Sequence, residues 1–136
     1  MTGHSCSALA LIVDHDLGFV MWLGEIFAEV GCQAAPAFNC RQALALIQQI
    51  DLPIATLIIN PQLRGAKRLV KMLTASNPDL RLVLIRDAAA PENDAHRRGL
   101  PANPGRIQAR FTLQRPAPAE PISRTDWAAR IRKMLS

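Results

Sequence analysis

The chain alternates short apolar runs with stretches in which apolar residues recur every three or four positions. Residues 8–13, ALALIV, are apolar without interruption, as expected of a strand buried on both faces. They end in Asp14-His15-Asp16. From Leu17 onward Val20, Leu23, Phe27 and Val30 recur at helical spacing, and Gly31 is placed to end that helix. Asp16 at its entry can accept from free amides and suits the positive end of the dipole. Residues 32–37 make a weaker second strand. Asn39 then precedes a helix over residues 40–50, with Ala43, Leu44, Ile47 and Ile50 on one face.

Residues 54–60 are a third, fully buried strand that stops at Asn60-Pro61. A turn at Leu63-Arg64-Gly65 leads to a helix over residues 67–75 with Leu69, Met72 and Leu73 inward, and Asn77-Pro78 breaks it. Residues 81–86 form the next buried strand, followed by Asp87. Between positions 88 and 110, Pro91, Gly99, Pro101, Pro104 and Gly105 leave room for only a short helix, residues 92–98. Residues 110–114 read as the last strand and Arg115-Pro116 ends it. A proline-rich connector, 116–121, leads to a final helix capped by Ser123 or Thr125, with Trp127, Ile131 and Leu135 on one face. Strand and helix alternate about five times, which predicts an α/β fold: a parallel sheet with helices on both sides. In such sheets ligands sit beyond the carboxyl ends of the strands, so Asn60 stands at a functional address.

Length and composition change this picture little. At 136 residues, 49% hydrophobic and 20% charged, the chain suits one ordinary globular domain over residues 8–136 behind a flexible tail, residues 1–7. The apolar run ending at Val13 is too short for a membrane span and lacks the basic segment of a signal peptide. Three cysteines, Cys6, Cys32 and Cys40, have no metal spacing and read as free thiols of a reducing cytosol. His4, His15 and His96 are scattered, and no cluster with zinc-like spacing occurs. Charge is divided unevenly: residues 1–60 carry one cation (Arg41) against five acids, net −4, and residues 61–136 carry fifteen cations against six acids, net +9. A basic half can attract nucleic acid or acidic partners, but no stretch interleaves basic and aromatic residues as a single-strand binder would. No nucleophilic triad or P-loop is present.

The fragments above, taken in order, resemble the receiver domain of bacterial response regulators. Leu11-Ile12-Val13-Asp14-His15-Asp16 is similar to the family's first strand and acidic cluster. Leu23, Phe27 and Gly31 fall where its first helix keeps an apolar stripe and a terminal glycine. Residues 37–44 resemble the opening of its second helix. Leu57-Ile58-Ile59-Asn60 matches the strand that ends in the phosphoacceptor aspartate, Leu63 matches the methionine that usually follows, and residues 111–116 match the last strand with its Lys-Pro ending. The resemblance implies a flavodoxin-like (βα)5 fold: a doubly wound parallel five-stranded sheet in strand order 2-1-3-4-5, here with an irregular or shortened fourth helix. It also implies a two-component, phosphorelay setting in the cytoplasm.

At the chemistry-bearing positions the sequence departs from the family. In receivers, acids after the first strand hold a divalent cation, the aspartate takes a phosphoryl group from a histidine kinase, and the lysine pairs with the phosphate. Here Asp14 and Asp16 remain, His15 takes the middle acidic position, and Asn60 replaces the acceptor. Arg86 falls at the hydroxyl switch position and Thr112 at the aromatic one, while Arg115, before Pro116, keeps the charge of the lysine. An amide oxygen is a poor nucleophile and a weak ligand for a hard cation, so the expectation is no acyl phosphate and lost or weak Mg²⁺ binding, with no other cofactor. Arg86 or Arg115 is expected to pair with Asp14 or Asp16 in place of the metal.

The function expected is that of a non-enzymatic, stand-alone pseudo-receiver with no output domain, which works by phosphorylation-independent contact with a protein partner, either a signalling protein or a second copy. Arg97, Arg98, Trp127 and Arg130 are candidate surface residues, although Trp127 suits a core position better. Residues 100–109 are extra relative to the family. Two alternatives are a true phosphoacceptor or enzyme using a displaced carboxylate, Asp14, Asp16 or Asp87, and, less favoured, nucleic-acid binding through the basic half. No membrane partner is expected.

Overall fold

The computed structural model describes residues 9–50, 53–87, 111–116 and 123–135. They form β1 (Leu9–Val13), α1 (Leu17–Glu29), β2 (Gln33–Ala37), α2 (Cys40–Gln49), β3 (Ile54–Ile59), α3 (Ala66–Ser76), β4 (Arg81–Asp87), β5 (Phe111–Arg115) and a last helix, α4 (Arg124–Leu135). The tail 1–7, the short helix at 92–98, the extra residues 100–109, and Arg97 and Arg98 lie outside the described residues. So does nearly all of the proline-rich connector.

All four strand pairings are parallel and the order is β2-β1-β3-β4-β5. This is the topology the family resemblance implies. The two outer positions fall to the least apolar strands. β2 carries Pro36, which lacks an amide donor and is tolerated on an edge strand. β1 and β3, in the middle, are almost wholly buried.

Successive side chains of a strand face opposite ways, so β1 feeds two cores. Ala10 and Ile12 pack with Phe19, Leu23, Ile26, Phe27, Trp127 and Ile131 on the α1–α4 side. Leu9, Leu11 and Val13 pack with Ala43, Leu57, Leu69 and Leu73 on the α2–α3 side. Helix ends are capped as the sequence suggests. The Phe19 N–H donates to Asp16 Oδ1 at 3.1 Å, the Gln42 N–H to Asn39 Oδ1 at 2.7 Å, and the Asp126 N–H to Ser123 Oγ at 3.3 Å, which settles the last cap on Ser123 rather than Thr125. Gly31 follows α1 at φ +85°, a left-handed conformation that a side chain would strain.

Four expectations need correction. Met72 is 39% exposed, because Ala66, Leu69 and Leu73 make the inward stripe of α3 and Met72 lies beside it. The last strand runs from Phe111 to Arg115, so Arg115 belongs to the strand instead of ending it. Trp127 is buried, not displayed for a partner. Cys32 is disulfide-bonded, not a free thiol. Cys40 is free and buried, and burial raises its thiol pKa.

Candidate functional site

Strand register brings the site together. Val13 stands opposite Ala37 on one side and Ile59 on the other, so the residues that follow, Asp14 and Asn60, leave adjacent strands side by side. Two backbone bonds extend the ladder one step past the strands: the Asp14 N–H donates to the Ala37 carbonyl at 3.0 Å, and the Asn60 N–H to the Val13 carbonyl at 3.0 Å. Asp14 is fully buried and Asn60 nearly so. A buried carboxylate must be compensated.

The compensation is visible atom by atom. Asn60 Nδ2 donates to Asp14 Oδ1 at 3.0 Å, and the His15 N–H donates to the same oxygen at 2.8 Å. Arg115 Nη1 stands 2.7 Å from Asp14 Oδ2 and 3.3 Å from Asp16 Oδ2, so one guanidinium spans both acids. Arg115 begins at the far edge of the sheet, on β5, and its long side chain crosses the strand ends to reach β1. Its guanidinium carbon lies 5.5 Å from the Phe19 ring centroid, which gives the side chain an aromatic surface to rest on.

The other end of the Asn60 amide is also engaged, since Asn60 Oδ1 accepts from the Gln62 N–H at 2.9 Å. Asp16 is held below its ordinary carboxyl pKa, first by the Phe19 N–H and then by Arg115, with partial burial opposing them. His15 Nδ1 lies 3.1 Å from Asp14 Oδ1, but the ring is 64% exposed and forms the outer rim.

Of the residues singled out in the sequence, Asp14, His15, Asp16, Asn60 and Arg115 come together. Of the two candidate arginines, Arg115 takes the acids; Arg86, on β4 opposite Gln114, makes no ion pair among the described residues. Thr112 is exposed on β5 and Pro116 partly buried after it. Trp127 and Arg130 belong elsewhere: Trp127 lies edge-on to Trp22 at 5.1 Å and to Phe19 at 6.0 Å, and Arg130 rests over its ring at 5.9 Å. The role of Phe19 and Trp22 is missed by pattern reading, although their positions three and six residues after Asp16 place them on the turns of α1 nearest the acids. Among the described residues no group of three or more His, Cys, Asp or Glu side chains could hold a metal ion, and no helix is long and apolar enough to cross a membrane.

A five-stranded parallel sheet in this order, with its polar cluster at the carboxyl ends, is the flavodoxin-like architecture of response-regulator receiver domains. Solved structures bear this out. The chemotaxis response regulator CheY4 of Vibrio cholerae is similar over 93% of this chain and 98% of its own, with 14% identity and a TM-score of 0.64. The receiver domain of NtrX from Brucella abortus matches over 93% and 97%, with 19% identity and a TM-score of 0.60. The beryllofluoride-activated NtrC4 receiver domain dimer matches over 93% and 94%, with 16% identity and a TM-score of 0.60. At these identities the likeness establishes the fold. No protein-family model matches the sequence, and no curated protein does.

Proposed function

We propose that this chain is a receiver-like signalling module of a two-component system that has given up phosphoryl acceptance and acts through phosphorylation-independent contact with a protein partner. The reading is carried by one observation: Asn60 stands at the acceptor position and donates its amide to Asp14, while Arg115 bridges Asp14 and Asp16. An amide cannot form the acyl phosphate. A divalent cation would have to displace the guanidinium from both carboxylates and then find a neutral amide where a third anionic ligand is wanted. The donor set therefore fits an internal guanidinium better than Mg²⁺, and the module is non-enzymatic and needs no cofactor.

A cytoplasmic setting belongs to the same reading and rests on the two-component resemblance alone, since the Cys32 disulfide removes the free-thiol argument for a reducing cytosol. A second copy is a candidate partner alongside another signalling protein, since the NtrC4 receiver domain is a dimer in its activated form.

Incubation with acetyl phosphate and Mg²⁺, followed by intact-mass measurement, checks this reading. No phosphate adduct is expected, and Mg²⁺ with beryllofluoride should leave Tm unchanged. A stoichiometric adduct on Asp14, Asp16 or Asp87 would sink the proposal in favour of a displaced acceptor.

A further inference from the structure

On the α1–α4 side and at the carboxyl ends of the sheet, four acids of the described residues are paired with arginines. Glu25 and Glu29 on α1 are both engaged by Arg124 of α4, and Asp14 and Asp16 are bridged by Arg115. The other side is different. Helices α2 and α3 contain no acid, and Arg41, Arg64, Lys67, Arg68 and Lys71 are all exposed there. None of the five has a carboxylate within ion-pair distance among the described residues.

The arrangement works against the stability of its own helices. Lys67 and Lys71 are one turn apart on the outer face of α3, and like charges at that spacing repel. Arg41, Lys67 and Arg68 stand in first turns that hold no acid, where the helix dipole favours one. The starts of the two helices also abut: a Cβ on Gly65 would lie 3.5 Å from Cys40 Cβ. Arg41, next to Cys40, and Arg64, next to Gly65, are thereby brought to the same end of the face.

We infer that the α2–α3 face is the docking surface for the partner, and that the partner presents an acidic amphipathic helix. Lys67 and Lys71 are separated by about 6 Å along the axis, the spacing of glutamates at i and i+4 on a helix laid alongside. The exposed Met72 beside them gives such a helix an apolar contact. A nucleic-acid strand fits less well: α2 and α3 carry no aromatic residue, and the exposed Phe38 ahead of α2 offers one stacking platform rather than the succession that a strand uses. This inference rests on the reading that output is contact with a protein, and it names the face used.

The probe is a fluorescein-labelled synthetic helical peptide with glutamates at i, i+3, i+4 and i+7 and a leucine beside them, titrated with the full chain and followed by anisotropy. Wild type should bind at low salt, more weakly as salt rises. The K67E/R68E/K71E variant should lose affinity by about tenfold or more, while R130E/R132E on α4 should lose little. K71E alone gives the same direction if the triple variant fails to fold. Equal binding by the charge-reversed chain, no binding by wild type, or tighter binding of random duplex DNA abolished by the same substitutions overturns the inference. Adding acetyl phosphate and Mg²⁺ separates the two proposals. A change in peptide affinity that leaves the K67E/R68E/K71E defect intact counts against the phosphorylation-independent reading alone.

Discussion

Both ends of the Asn60 amide are committed inside the protein, one to the Asp14 carboxylate and one to the Gln62 N–H. Asn60→Asp therefore replaces a donor by a second buried carboxylate about 3 Å from the first. The expected loss is about 1–3 kcal/mol at neutral pH. Burial and the charge of Asp14 raise the folded-state pKa of the new carboxyl above its unfolded value. The deficit should thus be small below about pH 4 and grow as pH rises through the folded value. Urea unfolding of both proteins across that range measures it; a deficit independent of pH would mean Asp14 and residue 60 do not sense one another. Arg115→Ala removes the cation from a fully buried acid and should cost about 3–5 kcal/mol. It also frees Asp14 and Asp16, so Mg²⁺ should raise the Tm of this variant and not that of wild type. Equal effects on both would show that guanidinium and metal do not compete.

At the scale of the element, α1 is the helix on which fold and site meet. Its cap, Asp16, is also a partner of Arg115, and it supplies the buried Phe19 and the partly buried Trp22 to the aromatic group around Trp127. Because the folded pKa of Asp16 is depressed, its contribution is present above the unfolded carboxyl value and is lost as pH falls through the folded one. Asp16→Ala should cost about 1 kcal/mol near pH 7, and thermal melts should show the gap closing in acid. Elements of this kind were readable in the sequence because each carried its own period and stop signal: ALALIV before Asp14, and the Leu69–Leu73 stripe before Asn77. Met72 was misassigned for a local reason. It lies three residues after Leu69 and so shares the stripe's spacing, yet it is about 100° of helix from Leu73, which carries it round to the solvent side.

For the whole molecule, the order of the strands followed from the family resemblance and not from the apolar pattern alone, and the choice of Arg115 over Arg86 followed from neither. Both arginines stand at the carboxyl ends of their strands, Arg115 as the last residue of β5 and Arg86 as the last but one of β4. What separates them is sheet register and a supporting ring: Arg86 is set opposite Gln114, while Arg115 can lie across Phe19. Trp127 was ambiguous for a related reason, since its burial depends on Trp22 and Phe19 arriving from a helix about a hundred positions earlier. The segregation of charge was half visible. Counting along the chain divides it at position 60, but folding redraws the boundary: Arg115 and Arg124 cross to the acidic side, and α2 and α3 keep cations that no carboxylate pairs among the described residues. The contact between Arg115 and Phe19, which in turn touches Trp127, has a practical consequence. Both indoles of the chain sit in this one cluster, so their native emission is a built-in optical gauge of the pocket: any event that withdraws the guanidinium from Asp14 unloads the ring beneath it and should register as a spectral shift without a label.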